Sequence, residues 1–174
     1  MTWQSKLEIT KKYAPSNPEM VMVFDYTTAS CDFFITYLKN KYPFVEEEYL
    51  DFLRITDGIY IDTFVIFGSD QSKFSSISKA EVTWNFMTGV GVGFIPIGMY
   101  PSGDSIAICS DAKIRLLNYT LNTFLDGPVI SSSFSSLMND FLLGNRFTEL
   151  FLSHVWSPND ETDWTQYLRQ QNWL

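Results

Sequence analysis

Between Phe94 and Tyr119 three apolar runs follow one another with almost no chain to spare. FIPIG (94–98) and SIAIC (105–109) bracket the turn PSGD (101–104), and KIRLLNY (113–119) follows across Asp111-Ala112. Connections this short join antiparallel neighbours, because a parallel pair needs a crossover of about a dozen residues or more. The stretch therefore predicts an antiparallel meander. Strands this apolar must be covered, so the rest of the chain has to supply the cover.

The clearest cover is a helix after Ser133. Phe134, Leu137, Met138, Phe141 and Leu142 recur at i, i+3, i+4, i+7 and i+8, a single helical stripe. Ser131, Ser132 or Ser133 can cap its start, and Gly144 can end it.

Upstream, PSNP (15–18) separates an opening segment from VMVF (21–24), which reads as a short strand or as the start of the next packed element. Thr28 or Ser30 offers a cap for a helix with the apolar stripe Phe33, Phe34, Tyr37 and Leu38, with Pro43 at its end or just past it. A second helix starts near Glu46. Glu46, Glu47 and Glu48 fall in its first turn, where the helix dipole favours anions. Leu50 and Leu53, with Tyr49 and Phe52, form its apolar side, and Asp57-Gly58 stops it. IDTFVIFG (61–68) then reads as one strand. Ser75, Ser76 and Ser78 suggest a loop before a short helix over 79–87 that carries Val82 and Phe86.

The tail has its own helix signal. Ser157-Pro158-Asn159-Asp160 has the order cap, proline, acid, and Trp164, Tyr167 and Leu168 repeat at i, i+3 and i+4. Trp173 and Leu174 are expected on the same patch. These elements predict one domain over residues 1–174, with 146–174 a helical extension docked on the core. With fifteen Phe in the chain, Phe33, Phe34, Phe52, Phe64, Phe67 and Phe134 are core candidates before they are pocket walls.

Gly89, Gly91 and Gly93 invite a phosphate-loop reading, and the sequence argues against it. A dinucleotide loop needs G-x-G-x-x-G between a strand and a helix, whereas Phe94 stands at the third glycine position and a strand follows. A Walker loop needs a lysine, and none lies between 80 and 112. The glycines read as a bend or close approach at a strand entrance. Asp104 and Asp111 lack the dense oxygen ligands of a calcium loop and read as turn acceptors. His154, the single histidine, has no zinc-ligand spacing. Glu47 and Glu48 read as a solvated helix face. Cys31 and Cys109 form no CxxC pair and read as thiols in a reducing compartment. No cofactor or metal is expected.

Twenty acidic residues against twelve basic ones give a formal charge of −8. That balance argues against nucleic acid as a direct partner and favours a basic one. The N-terminus lacks an apolar core of signal-peptide length, and no run reaches the roughly 18 apolar residues of a spanning helix, so a cytoplasmic location without membrane contact is expected.

In order and spacing the elements resemble the SUKH superfamily of toxin-immunity and cell-wall-regulator-like proteins over residues 28–145. EEEYLDFLRITDG resembles the family phrase in which a helix ends at Asn-Gly, with Asp57 in place of the asparagine. IDTFVIFG matches the strand that follows. FIPIGMYPSGDSIAICSD resembles the family's proline-isoleucine-glycine segment, with one glycine in PSGD where a pair is frequent. SSFSSLMNDFLL matches the closing helix. Residues 146–174 lie outside the likeness.

The resemblance implies an α+β fold, a twisted and mainly antiparallel sheet packed by helices, and a non-enzymatic role. Bacterial members are held to neutralise polymorphic toxins, frequently nucleases, by direct binding. Fungal members are linked to cell-wall synthesis and signalling. The acidic charge favours the first role, because a nuclease that grips phosphate is basic. Expected partner contacts are Glu46, Glu47, Glu48, Asp62, Asp70 and Asp104. Expected structural turns are Asp57, Gly58, Gly98 and Gly103. A regulatory or scaffolding module of the same fold is the second reading, and a hydrolase built on His154 and a nucleophile is the third.

Overall fold

The computed structural model describes residues 1–74, 76–88, 93–117, 126–151 and 161–174, with side chains throughout except those of 84–88 and 151. Seven strands form one antiparallel sheet in chain order: β1 (Phe24–Tyr26), β2 (Ile59–Ile61), β3 (Phe64–Ile66), β4 (Phe94–Met99), β5 (Ser105–Cys109), β6 (Ile114–Leu117) and β7 (Val129–Ser131). The helices are α1 (Trp3–Tyr13), α2 (Asp32–Lys41), α3 (Glu47–Ile55), α4 (Ile77–Thr88), α5 (Phe134–Ser136, continuing as a π-helix over Leu137–Leu142) and α6 (Asp163–Gln170). The molecule is of the α+β class, and its sheet centre is the predicted meander.

β5 is buried along its whole length, and β4 is buried up to Met99. Ile95, Ile97, Ile106, Ile108 and Ile114 join the main core, while Phe94, Ala107, Cys109 and Leu117 form a smaller cluster apart from it. Such two-sided cover produces continuous apolar runs rather than alternation.

IDTFVIFG is a hairpin, not one strand. The chain turns at Asp62-Thr63, with Ile61 paired to Phe64 and Asp62 in the left-handed region at φ 56°. Aspartate adopts that conformation more readily than most residues, so no glycine was needed to mark the turn. Gly58 ends the α3 segment at φ 102°, and Gly103 sits at φ 90° in the β4–β5 turn. Gly98 is not a turn. It lies inside β4, where the pairing with β5 slips between Pro96 and Gly98, and a Cβ there would fall 2.5 Å from the Val65 carbonyl oxygen.

The stripe assigned to α2 is also corrected. Ile35 and Leu38 are the buried positions, Phe34 is half-buried, and Phe33 is 83% exposed. Neither Thr28 nor Ser30 caps this helix; Cys31 holds the cap position without a side-chain bond. α4 presents Val82 to solvent. Its Glu81 is buried and accepts hydrogen bonds from Lys41 Nζ at 2.7 Å and from the Tyr42 hydroxyl, which clasps the end of α2 to α4. Val21 and Met22 lie in a 3-10 turn (Pro18–Met22) and are exposed; the strand begins only at Phe24.

The closing helix buries Phe134, Leu137, Met138, Phe141 and Leu142, as its stripe predicts. Ser133 caps it by accepting from Ser136 N at 3.1 Å. Its Leu137–Leu142 part is wider than the periodicity suggests: Leu143 N donates to Met138 O, five residues back. Lys6 Nζ donates to the Asn139 and Leu143 carbonyls at 2.9 and 2.7 Å, so α1 satisfies carbonyls at the helix end.

α6 completes the packing. Its cap is Thr162, in a reciprocal capping box with Thr165, while the proposed cap at 157–160 lies outside the described residues. Trp164 stacks on Phe24 and donates to Leu142 O at 3.0 Å; the Tyr167 hydroxyl meets Thr10 Oγ1 at 2.8 Å. The tail thus links the first helix, the edge strand and the closing helix.

Candidate functional site

β1 and β3 end, and β2 begins, at the same end of the sheet. Three chain segments meet there: Tyr26–Cys31 leaving β1, Asp57-Gly58 entering β2, and Ser69–Lys73 following β3. Asp57 ties them together from a buried position. Its Oδ1 accepts from Ser69 N at 2.6 Å and from the Ser30 hydroxyl; its Oδ2 accepts from Ser69 Oγ at 2.6 Å. Its backbone joins the same junction, for Asp57 N donates to Thr28 O at 2.7 Å and Thr27 Oγ1 donates to Asp57 O. Thr56 Oγ1 spans the gap by donating to Thr27 O at 2.7 Å.

The three donors to the Asp57 carboxylate, one backbone amide and two hydroxyls, are all neutral, and together they satisfy both of its oxygens. The fully buried Tyr49 hydroxyl, which donates to Phe67 O at 3.0 Å, is pushed above its ordinary pKa by burial and by the nearby Asp57 charge. The result is a fixed polar floor.

Over that floor lies a groove of about 450 Å³, lined among others by Thr28, Cys31, Asp57, Gln71 and Lys73. Lys73 pairs with Asp25 at 2.5 Å, and the same carboxylate accepts from Tyr26 N at 2.8 Å. Val23 and Thr27 bond toward β2, so by alternation Tyr26 N points off the open edge of the sheet. Asp25 therefore blunts an edge strand that would otherwise offer a free donor. Asp32 and Asp70 are exposed next to the lining residues Cys31, Ser69 and Gln71.

The structure does not gather the six acids proposed as partner contacts. Asp62 and Asp104 lie at the β2–β3 and β4–β5 turns, at the sheet end opposite the groove. Asp62 is buried and no surface contact. Its pKa is raised to about 6 by burial, with repulsion from Asp163 added. Asp104 is half-exposed and accepts from Ser102 Oγ at 2.7 Å. Glu46 is half-buried; its Oε2 accepts from Phe134 N at 2.9 Å, which makes it a clamp on the closing helix, and burial raises its pKa. Glu47 is exposed but bridges Lys39 and Arg54, each at 3.0 Å. Glu48 and Asp70 are exposed, and Asp70 alone of the six lies beside the groove.

Of the positions expected as turns, Asp57 proves to be the organising side chain. Neither partner was legible as such: Ser30 read as a helix cap and Ser69 carried no signal, because the bonds join segments separated by 27 and 12 residues. Cys31 is an exposed thiol at the groove, whereas Cys109 is buried and its thiol is pushed up to about 12, chiefly by burial. His154, Gly89 and Gly91 lie outside the described residues. Among the described residues, no group of three or more His, Cys, Asp and Glu side chains is placed to hold a metal, and no helix is long and apolar enough to cross a membrane. Compared with known protein families and with curated proteins, the chain matches none.

Proposed function

We propose that this chain is a non-enzymatic immunity protein that binds and neutralises a cognate basic toxin domain, with a nuclease the foremost candidate. The observation that carries this reading is the groove: Asp57 fixes its floor, and Asp32 and Asp70 stand exposed beside it. A floor already held in place loses little conformational freedom when a partner docks. Acidic surroundings attract a positively charged partner and steer its approach. A nuclease that grips phosphate carries that charge. The formal charge of −8 acts in the same direction over the whole molecule. Neutralisation of this kind needs only that the bound chain cover the partner's phosphate-binding face.

Binding kinetics test the reading. Toxin-like domains encoded beside this chain are the partners to measure. The association rate constant should fall about 10-fold or more between roughly 50 and 500 mM salt, while dissociation changes far less. Binding that is indifferent to salt, or no binding to any such domain, contradicts the proposal.

A further inference from the structure

The helix that leaves the groove carries an aromatic face turned outward. Phe33 and Tyr37 stand one turn apart on α2, 83% and 40% exposed, with Thr36 and Asn40 exposed on the same side. Ile35 and Leu38 hold the helix to the core from its other side. The exposure of Phe33 is thus built into the helix orientation. Phe34 stacks on Tyr37 with ring centroids 6.3 Å apart, which stiffens the face. Cys31 lines the groove, Asp32 follows it, and Phe33 comes next, so the polar depression and the aromatic face adjoin.

Charge sets the direction of this surface. Among the described residues Asp25, Asp32, Asp57 and Asp70 lie in or beside the groove; Lys73 in its lining is paired with Asp25, and Lys11 Nζ sits 4.8 Å from the ring centroid of the lining residue Tyr26. Asp32, in the first turn of α2, offsets the positive end of that helix. At the other end of the face, Lys41 Nζ bonds the Tyr37 hydroxyl at 2.9 Å. The surface runs from acidic at the groove, through Phe33, to the closed Lys41–Glu81 ion pair at 2.7 Å.

We propose that the groove and the Phe33–Tyr37 face form one docking surface for a basic, amphipathic segment of a partner protein. An apolar side chain of that segment packs on Phe33 and Tyr37, and a cationic side chain enters the groove between Asp32 and Asp70. An exposed aromatic that becomes buried on association is a common energetic anchor, and flanking charges set approach and register. The inference rests on the reading of a basic partner and deepens it by naming the surface.

The test uses the full ¹⁵N-labelled chain and a defined probe, acetyl-Arg-Leu-Arg-Leu-amide. Controls are the same peptide with Glu or Ser in place of Arg. Amide shifts should concentrate at residues 27–37 and 69–73. The Glu peptide should bind at least ~10-fold more weakly, and Phe33→Ala or the pair Asp32→Asn with Asp70→Asn should weaken the Arg peptide by ~3-fold or more. Phe33→Ala should melt with the wild type, because that side chain is exposed, and the Asp32→Asn, Asp70→Asn pair should lower the melting point only slightly, through the lost Asp32 charge at the helix start. Equal binding of the Glu peptide, shifts confined elsewhere, or variants that bind as the wild type does would overturn the surface. A neighbouring toxin neutralised as well by Phe33→Glu as by the wild type also overturns it, and leaves the immunity reading standing. Failure to neutralise any neighbouring toxin, with the peptide still mapping here, removes the immunity reading and supports the surface.

Discussion

Ser69 is bound twice to Asp57: its amide donates to Oδ1 and its hydroxyl to Oδ2, each at 2.6 Å. The pair joins the end of the α3 segment to the loop after β3, and with Ser30 it fixes the groove floor. Asp57→Ala leaves the buried Ser69 amide and hydroxyl, and the half-buried Ser30 hydroxyl, without their acceptor, at a cost of ~2–4 kcal/mol. Asp57→Asn keeps an oxygen for the amide and lets the Ser69 hydroxyl turn round to accept, so ~1 kcal/mol is expected. Urea unfolding measures both. An alanine variant within ~0.5 kcal/mol of wild type would mean that the network does not hold the junction.

Asp62 predicts a pH dependence. Burial, with Asp163 nearby, raises its pKa from the ordinary 3.8 to about 6. The folded state then binds the proton more tightly than the unfolded chain does. This contribution is fully present below about pH 4 and is lost as pH rises to about 6. Asp62→Asn removes it, and asparagine tolerates the left-handed backbone at φ 56°. The variant should be more stable than wild type by ~1–3 kcal/mol near pH 7.5 and no more stable near pH 3. Melts across that range decide; a gain that persists at low pH would point to something other than proton linkage.

Gly58 adopts φ 102°, and a Cβ there would meet Ser72 Oγ at 2.8 Å and the Ile66 carbonyl oxygen at 3.1 Å. Gly58→Val should cost ~1–3 kcal/mol from the backbone alone, with crowding in addition. Denaturant midpoints would show it, and a neutral substitution would contradict the assigned backbone.

The orientation of α2 is testable within one helix. Ile35→Ala removes a buried side chain and should destabilise by ~2–4 kcal/mol, whereas Phe33→Ala should change stability by less than ~0.5 kcal/mol. The reverse order would return Phe33 to the core and abolish the aromatic face.

What the sequence disclosed follows from how local each signal is. The meander and the Phe134–Leu142 stripe are written in short-range periodicity, and both were legible. On α2 periodicity does not settle the inward side, because Phe33 and Phe34 precede Ile35 and apolar residues occur on both sides of the helix; only the tertiary contacts of Ile35 and Leu38 decide which side turns inward. The hairpin in IDTFVIFG was hidden because Asp62-Thr63 makes the turn without a glycine. The groove was least legible. Asp57 was visible as a turn residue, but Ser30 and Ser69 gain their role only when three segments meet in space.

The most direct test of the immunity reading is survival. Each toxin-like domain encoded beside this chain is expressed in a sensitive host, alone and together with the chain. The account predicts that one such toxin kills alone, that co-expression restores growth, and that Phe33→Glu combined with Asp70→Lys abolishes the rescue while the variant stays folded. Killing that continues unchanged beside the wild-type chain for every neighbouring toxin would contradict it.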